Sequence, residues 1–221
     1  MIEFDKIHLV WRQSAGTRRR VSVGILEKTS DGKHIFKYST DVAELQKTDG
    51  FTLYTEFQDI HKQYNGNVAE IFGQRLTKSD RPDVSTFYDF WEVDKDKTED
   101  KFYLLGKTQG LVTTDNFEFL AEYKLTPNLH FLTDIASLSV NDPKLAKGTI
   151  QVGDVLRFEL EPENEHDKLA VRVFKGDLFI GYIKKYHCKV FHETGADKLS
   201  LTVKAIDQNG YIKRLFVKVA L

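Results

Sequence analysis

Leu169-Ala170-Val171-Arg172-Val173-Phe174-Lys175-Gly176-Asp177-Leu178-Phe179-Ile180-Gly181-Tyr182-Ile183-Lys184 decides the fold of the second half of this chain. Two runs rich in β-branched and aromatic residues flank Gly176-Asp177, a pair suited to the positive φ of a tight hairpin turn. The stretch therefore predicts strands over residues 169–174 and 178–184. Working outward, the same pattern recurs at 130–136, 154–161, 199–206 and 211–219, with Asn209-Gly210 turning a second hairpin. One helix is expected over 186–192. Several short strands with one helix predict a small closed barrel, in which sheet edges pair away.

The first half reads differently. Ile7-His8-Leu9-Val10-Trp11 and Val21-Ser22-Val23-Gly24-Ile25-Leu26 alternate as half-buried strands do, and Asp31-Gly32 returns the chain through Ile35, Phe36 and Tyr38. Further on the apolar period lengthens. Val68, Ile71, Phe72 and Leu76 share a helical face, Phe87, Tyr88, Phe90 and Trp91 crowd a second short segment, and a third helix is expected over 100–105. Pro82 separates the first two, with Asp83 or Ser85 as cap. The polar run Tyr123-Lys124-Leu125-Thr126-Pro127-Asn128 precedes the renewed β pattern, which divides the chain into domains 1–126 and 127–221.

With 221 residues, 41% of them hydrophobic, the chain can fill two small cores. Its formal net charge of −1 carries no global basic signature, although the balance moves from acidic before Asn128 to basic after it. No apolar run approaches the ~20 residues of a membrane-spanning helix, and Met1-Ile2-Glu3-Phe4-Asp5 lacks a signal-peptide layout. A cytoplasmic protein with no membrane partner is expected. Cys188 is the single cysteine, so an internal disulfide and a thiolate-cluster zinc site are excluded.

Glu161-Pro162-Glu163-Asn164-Glu165-His166-Asp167-Lys168-Leu169-Ala170-Val171-Arg172-Val173 resembles the signature of the HIRAN domain. Ile180-Gly181-Tyr182-Ile183-Lys184-Lys185 resembles the family's second block, and Leu129-His130-Phe131-Leu132-Thr133 stands where its first strand lies. The resemblance implies an OB-like β-barrel with one or two helices that captures the 3′-hydroxyl end of single-stranded DNA. Overall the chain is expected to be α+β, this barrel following a small antiparallel sheet with short helices. A free 3′-hydroxyl is a donor that internal phosphodiesters lack, so a carboxylate can tell an end from an interior. Asp167 is the candidate acceptor. Asn164 offers an amide to sugar and base edges, Lys184 and Lys185 offer cations to phosphate, and Phe131, His166 and Tyr182 offer flat groups for stacking. His166 stands where the family often carries an aromatic hydroxyl and His130 where arginine can stand, which predicts weaker stacking and weaker phosphate pairing. In the competing structural reading, Asn164 and Asp167 bond the main chain and shape a turn, and Phe131 is core.

The first half resembles the N-terminal subdomain of HipA-like toxin kinases at Val23-Gly24, Asp31-Gly32, Phe36-Lys37-Tyr38, Phe72-Gly73-Gln74-Arg75-Leu76, Arg81-Pro82-Asp83, Gly110 and Thr114-Asp115. In that family the kinase machinery lies in later parts of a longer chain, so this chain is not expected to be the kinase. The resemblance implies a toxin–antitoxin component whose partners are a separate HipA-like kinase and a DNA-binding antitoxin. The plainer alternative is a scaffold for the barrel.

No G-x-x-x-x-G-K-[ST] or G-x-G-x-x-G pattern is present, and no cofactor, metal site or enzymatic activity is expected. A Cys188–His192 nucleophile is weighed and set aside, because a lone cysteine usually packs. Arg18-Arg19-Arg20 could touch phosphate or simply be exposed, and Trp91 is read as core more readily than as a partner's anchor.

Overall fold

The computed structural model describes residues 3–13, 19–138, 145, 148–194, 198–209 and 211–221. Arg18 of the arginine run and Gly210 of the second expected turn lie outside the described residues. The chain forms two compact units, Phe4–Glu122 and Tyr123–Leu221 with Met1–Glu3. Among the described residues no helix is long and apolar enough to cross a membrane.

The Phe4–Glu122 unit is built on an antiparallel sheet of β1 (Lys6–Arg12), β2 (Arg20–Lys28), β3 (His34–Tyr38), β4 (Tyr64–Asn65) and β5 (Phe117–Ala121), in the order β4-β3-β2-β1-β5. Gly32 turns β2 into β3 with φ +80°. Four helices accompany the sheet: α1 (Val42–Thr48), α2 (Val68–Gly73), α3 (Val84–Trp91) and α4 (Lys101–Thr108). An aromatic cluster forms the core, with the Phe72 ring 5.0 Å from Phe36, 4.9 Å from Phe57 and 5.1 Å from Phe119. At Gly24 a Cβ would stand 2.6 Å from the Phe36 ring, so only glycine lets that ring pack against β2.

Three expectations change here. The sequence pattern does not announce α1, because only Val42 of that helix is buried and no apolar face repeats. The helix α2 ends at Gly73, and Leu76 is reached through tighter i→i+3 bonds, its amide donating to Gly73 at 3.0 Å. Asp83 stands at the N-cap of α3 but makes no capping bond, because its carboxylate is held by the Arg81 guanidinium at 2.9 and 2.7 Å. Asp100 does cap α4, accepting from the Tyr103 amide at 2.9 Å. Trp91 is buried, which removes it as an exposed anchor.

The Tyr123–Leu221 unit is a six-stranded antiparallel sheet in the order β6-β11-β10-β7-β8-β9. Its strands are β6 (His130–Asp134), β7 (Val155–Leu160), β8 (Val171–Lys175), β9 (Leu178–Tyr182), β10 (Ser200–Asn209) and β11 (Tyr211–Ala220). A 3-10 turn, Lys185–His187, leads into α5 (Lys189–Thr194), which splits the single expected helix. The expected closed barrel takes the form of a curled half-barrel. Its two edges meet at one bridge, where Ala136 and Tyr182 exchange backbone hydrogen bonds of 2.8 and 3.0 Å. Gly181 permits this approach, since a Cβ there would lie 2.3 Å from the Ala136 carbonyl oxygen.

Candidate nucleic-acid site

The loop between β7 and β8 is closed at its base by the Glu161 amide, which donates to the Ala170 carbonyl at 2.9 Å. Asn164 organises the interior of the loop. Its side-chain oxygen accepts from the amides of His166 (2.9 Å) and Asp167 (3.0 Å), and its Nδ2 donates to Glu161 Oε2 at 2.8 Å. The side chain expected to reach a nucleotide is thus largely engaged in shaping the turn, as short polar side chains commonly are. Asp167 is engaged by half. One carboxylate oxygen accepts from the Leu169 amide at 3.0 Å, while the other has no hydrogen bond among the described residues.

Around this loop lies an open cavity of about 240 Å³ lined by Ser137, Asn164, His166, Asp167, Ala170, Tyr182, Ile183 and Lys185. Residues distant in sequence therefore share one wall: the loop supplies Asn164, His166 and Asp167, the end of β9 supplies Tyr182, and the following turn supplies Lys185. The Ala136–Tyr182 bridge brings Ser137 to the same place. His166 and Lys185 are exposed, and Asp167 and Tyr182 are half-buried. Burial, and then the Glu161 carboxylate beside it, raise the Tyr182 phenol above its ordinary range, so it remains a neutral donor at physiological pH. The volume sits just below the ~300–1,000 Å³ common for small-molecule sites.

Two residues expected at the site are elsewhere. Phe131 is 0% exposed and stacks on Tyr123 at 4.0 Å, with His187 edge-on at 5.3 Å, so no base can reach its ring. The side chain of Lys184 is likewise 0% exposed, its ammonium 2.5 Å from Asp134 Oδ1, an oxygen that also lies 3.3 Å from Arg214. The two lysines stand where the chain passes from β9 into the 3-10 turn, Lys184 turned into the core and Lys185 lining the cavity. The ring of His130 engages the Asn128 carbonyl at 3.0 Å. Ser137 was not anticipated. It lines the cavity at φ +62°, a conformation that nothing in its sequence context signals.

The cysteine–histidine pair does not form. Cys188 is buried, and burial followed by the negative charge of Asp167 pushes its thiol up to about 12. The His192 ring instead meets the Leu169 carbonyl at 3.1 Å. Among the described residues no group of His, Cys, Asp and Glu could hold a metal ion.

Residues 129–211 match the family described as the HIRAN domain. The second part of the chain therefore carries a HIRAN domain, which implies a DNA-binding module. A solved structure of a protein from Lactobacillus plantarum is similar at 18% identity, covering 42% of this chain and 95% of that one, with a TM-score of 0.34. No curated protein matches the chain.

Proposed function

We propose that this protein acts without catalysis, and that its HIRAN half receives the free 3′-hydroxyl end of single-stranded DNA. The observation that carries this reading is the convergence of His166, Asp167, Tyr182 and Lys185 on one open cavity, with one Asp167 oxygen left unbonded. That oxygen can accept from a terminal hydroxyl, and a 3′-phosphate placed there would meet a like charge. His166 and Tyr182 supply surfaces for the terminal base, each stack being worth about 1–3 kcal/mol by truncation. Lys185 and Lys168 are exposed cations without an ion pair among the described residues, available to the backbone phosphate.

The test is a titration of labelled single strands ending in either a 3′-hydroxyl or a 3′-phosphate. Tighter binding of the hydroxyl end supports the reading, and equal or absent binding removes it.

A second reading belongs to the Phe4–Glu122 unit. Blocks that carry its resemblance to the first subdomain of HipA-like kinases come together: Arg75 donates to the Gly110 carbonyl at 2.6 Å and to Asp115 at 2.8 Å. This convergence supports treating the blocks as one fold signature. An antitoxin or accessory role, exerted through this half on a separate HipA-like serine/threonine kinase, follows as the alternative function. Co-purification with such a kinase supports it, and failure to bind any kinase encoded beside the gene removes it.

A further inference from the structure

The outer surface of β7, β8 and β9 is a second feature of the HIRAN half, and it begins at the cavity. Two cross-strand rows lie on it. Register places Arg157 beside Phe174 and Phe174 beside Phe179, and Glu159 beside Arg172 and Arg172 beside Tyr182. The opposite face carries Leu156, Phe158, Val171, Val173 and Ile180, all buried. The outer face is rich in rings, of which Phe174 is buried beneath the two arginines while Phe179 and Tyr182 stay half-buried.

Its arginines lie over those rings. The Arg157 guanidinium is 4.4 Å from the centre of the Phe174 ring, and that of Arg172 is 4.9 Å from Phe174 and 5.1 Å from Phe179. Phe179 in turn meets Tyr182 edge-on at 5.3 Å. A guanidinium lying over an aromatic ring keeps its N–H groups at the edge, where they can meet two oxygens of a carboxylate or phosphate; one N–H of Arg157 donates to the Gly176 carbonyl at 3.4 Å. Glu159 is the shared carboxylate partner, paired with Arg157 and 3.9 Å from Arg172. Glu159 offsets one of the two guanidinium charges, and Glu161 beside Tyr182 offsets the other at the cavity end of the face. Arg157 and Arg172 retain 48% and 36% of their side-chain exposure.

We propose that this face is the track for the nucleotides upstream of the terminal two, so that the single strand, its last two nucleotides held at the cavity and its mouth beside Tyr182, crosses β9 and β8 over Phe179, Arg172 and Arg157. Two phosphates take the place of Glu159 as partners of the arginines, and bases stack on the half-buried ring of Phe179. Continuity carries the assignment, because Tyr182 belongs both to the cavity lining and to the second cross-strand row. The combination of guanidinium groups with aromatic surfaces, as used for unpaired strands, supports it. The proposal rests on the reading of the cavity as a strand-end site and extends it from the strand end to the nucleotides upstream.

The experiment uses the full chain and two 5′-labelled strands with free 3′-hydroxyls, a dinucleotide and one of about 12 nucleotides. The wild-type protein is expected to bind the longer strand at least about tenfold more tightly. In the Arg157→Ala/Arg172→Ala variant that advantage disappears and dinucleotide affinity stays unchanged. The slope of log affinity against log salt for the longer strand falls by about 1.4, since each phosphate contact on a single strand contributes about 0.7. Arg157→Lys/Arg172→Lys, which keeps the charge and the fold, retains most of the slope and loses part of the affinity. A wild-type protein that binds both strands equally overturns the track, and so does a double variant that loses both equally. Should Asp167→Asn leave the hydroxyl preference intact while the arginines still govern the length dependence, the end-site reading fails and the track stands.

Discussion

Arg75 and the Asn164–Asp167 loop are both polar constellations in motif-like sequence, and the structure treats them in opposite ways. Arg75 has a side chain only 4% exposed, donates to Gly110 and Asp115, and lies 4.9 Å from the centre of the Phe119 ring. Its hydrogen bonds hold together the turn after α4 and the start of β5, where Gln109 and Gly110 both take positive φ. The loop before β8 uses Asn164 for its own architecture and leaves a carboxylate oxygen of Asp167 open on a cavity. What separates a fold signature from a candidate binding site is the bonding capacity left after the chain has satisfied itself.

The largest effects should fall where a charged side chain is buried and bonded inside the fold. Arg75→Ala removes the guanidinium from the Gly110 carbonyl and from Asp115, which keeps the Phe117 amide, and should lower stability by about 2–4 kcal/mol in urea unfolding, with strand affinity unchanged. Unchanged stability would mean that the cluster is not a structural clamp. Lys184→Met removes the nearer cation from buried Asp134 and should cost about 2–3 kcal/mol. Its neighbour provides the control. Lys185→Ala should leave stability within about 0.5 kcal/mol of wild type and weaken strand binding by about three- to tenfold, with a salt slope lower by about 0.7. Comparable losses of stability at 184 and 185 would erase the distinction between the two lysines.

A smaller effect concerns the cavity's buried neighbour. The Cys188 thiol is raised from 9.0 to about 12, so it stays protonated in the folded chain while the unfolded chain ionises first. Above pH 9 the folded state thus binds more protons than the unfolded one, and stability falls as pH rises towards 12. At neutral pH the native thiol should react with a small disulfide reagent far more slowly than the urea-unfolded chain does. Equal rates would contradict the burial of Cys188.

Much of this arrangement was legible in sequence. Alternation and turn residues gave β1, β2 and β3 and the strands of the second sheet, since Gly176 and Gly32 are needed where the chain reverses, whereas β4, two residues long, and β5 carried no strand expectation. The blocks at Asn164–Asp167 and Tyr182–Lys185 pointed to residues that share the cavity wall. Other features depend on curvature, which local pattern does not encode. Lys184 and Lys185 are chemically identical in sequence, and only the curling of the sheet brings Asp134 against the first of them. Phe131 was offered for stacking because its strand was known and its face was not. Ser137 reaches the cavity through a bridge between sheet edges, and the helix α1 buries too little to leave a periodic trace.

The central claim is that the open oxygen of Asp167 reads a free 3′-hydroxyl. Its most direct test is the ratio of affinities for 3′-hydroxyl and 3′-phosphate strands, measured in the wild-type protein and in Asp167→Asn at one salt concentration. The account predicts a wild-type ratio of about ten or more that collapses towards one in the variant. A ratio already near one in the wild-type protein, or one that survives the substitution, would contradict it.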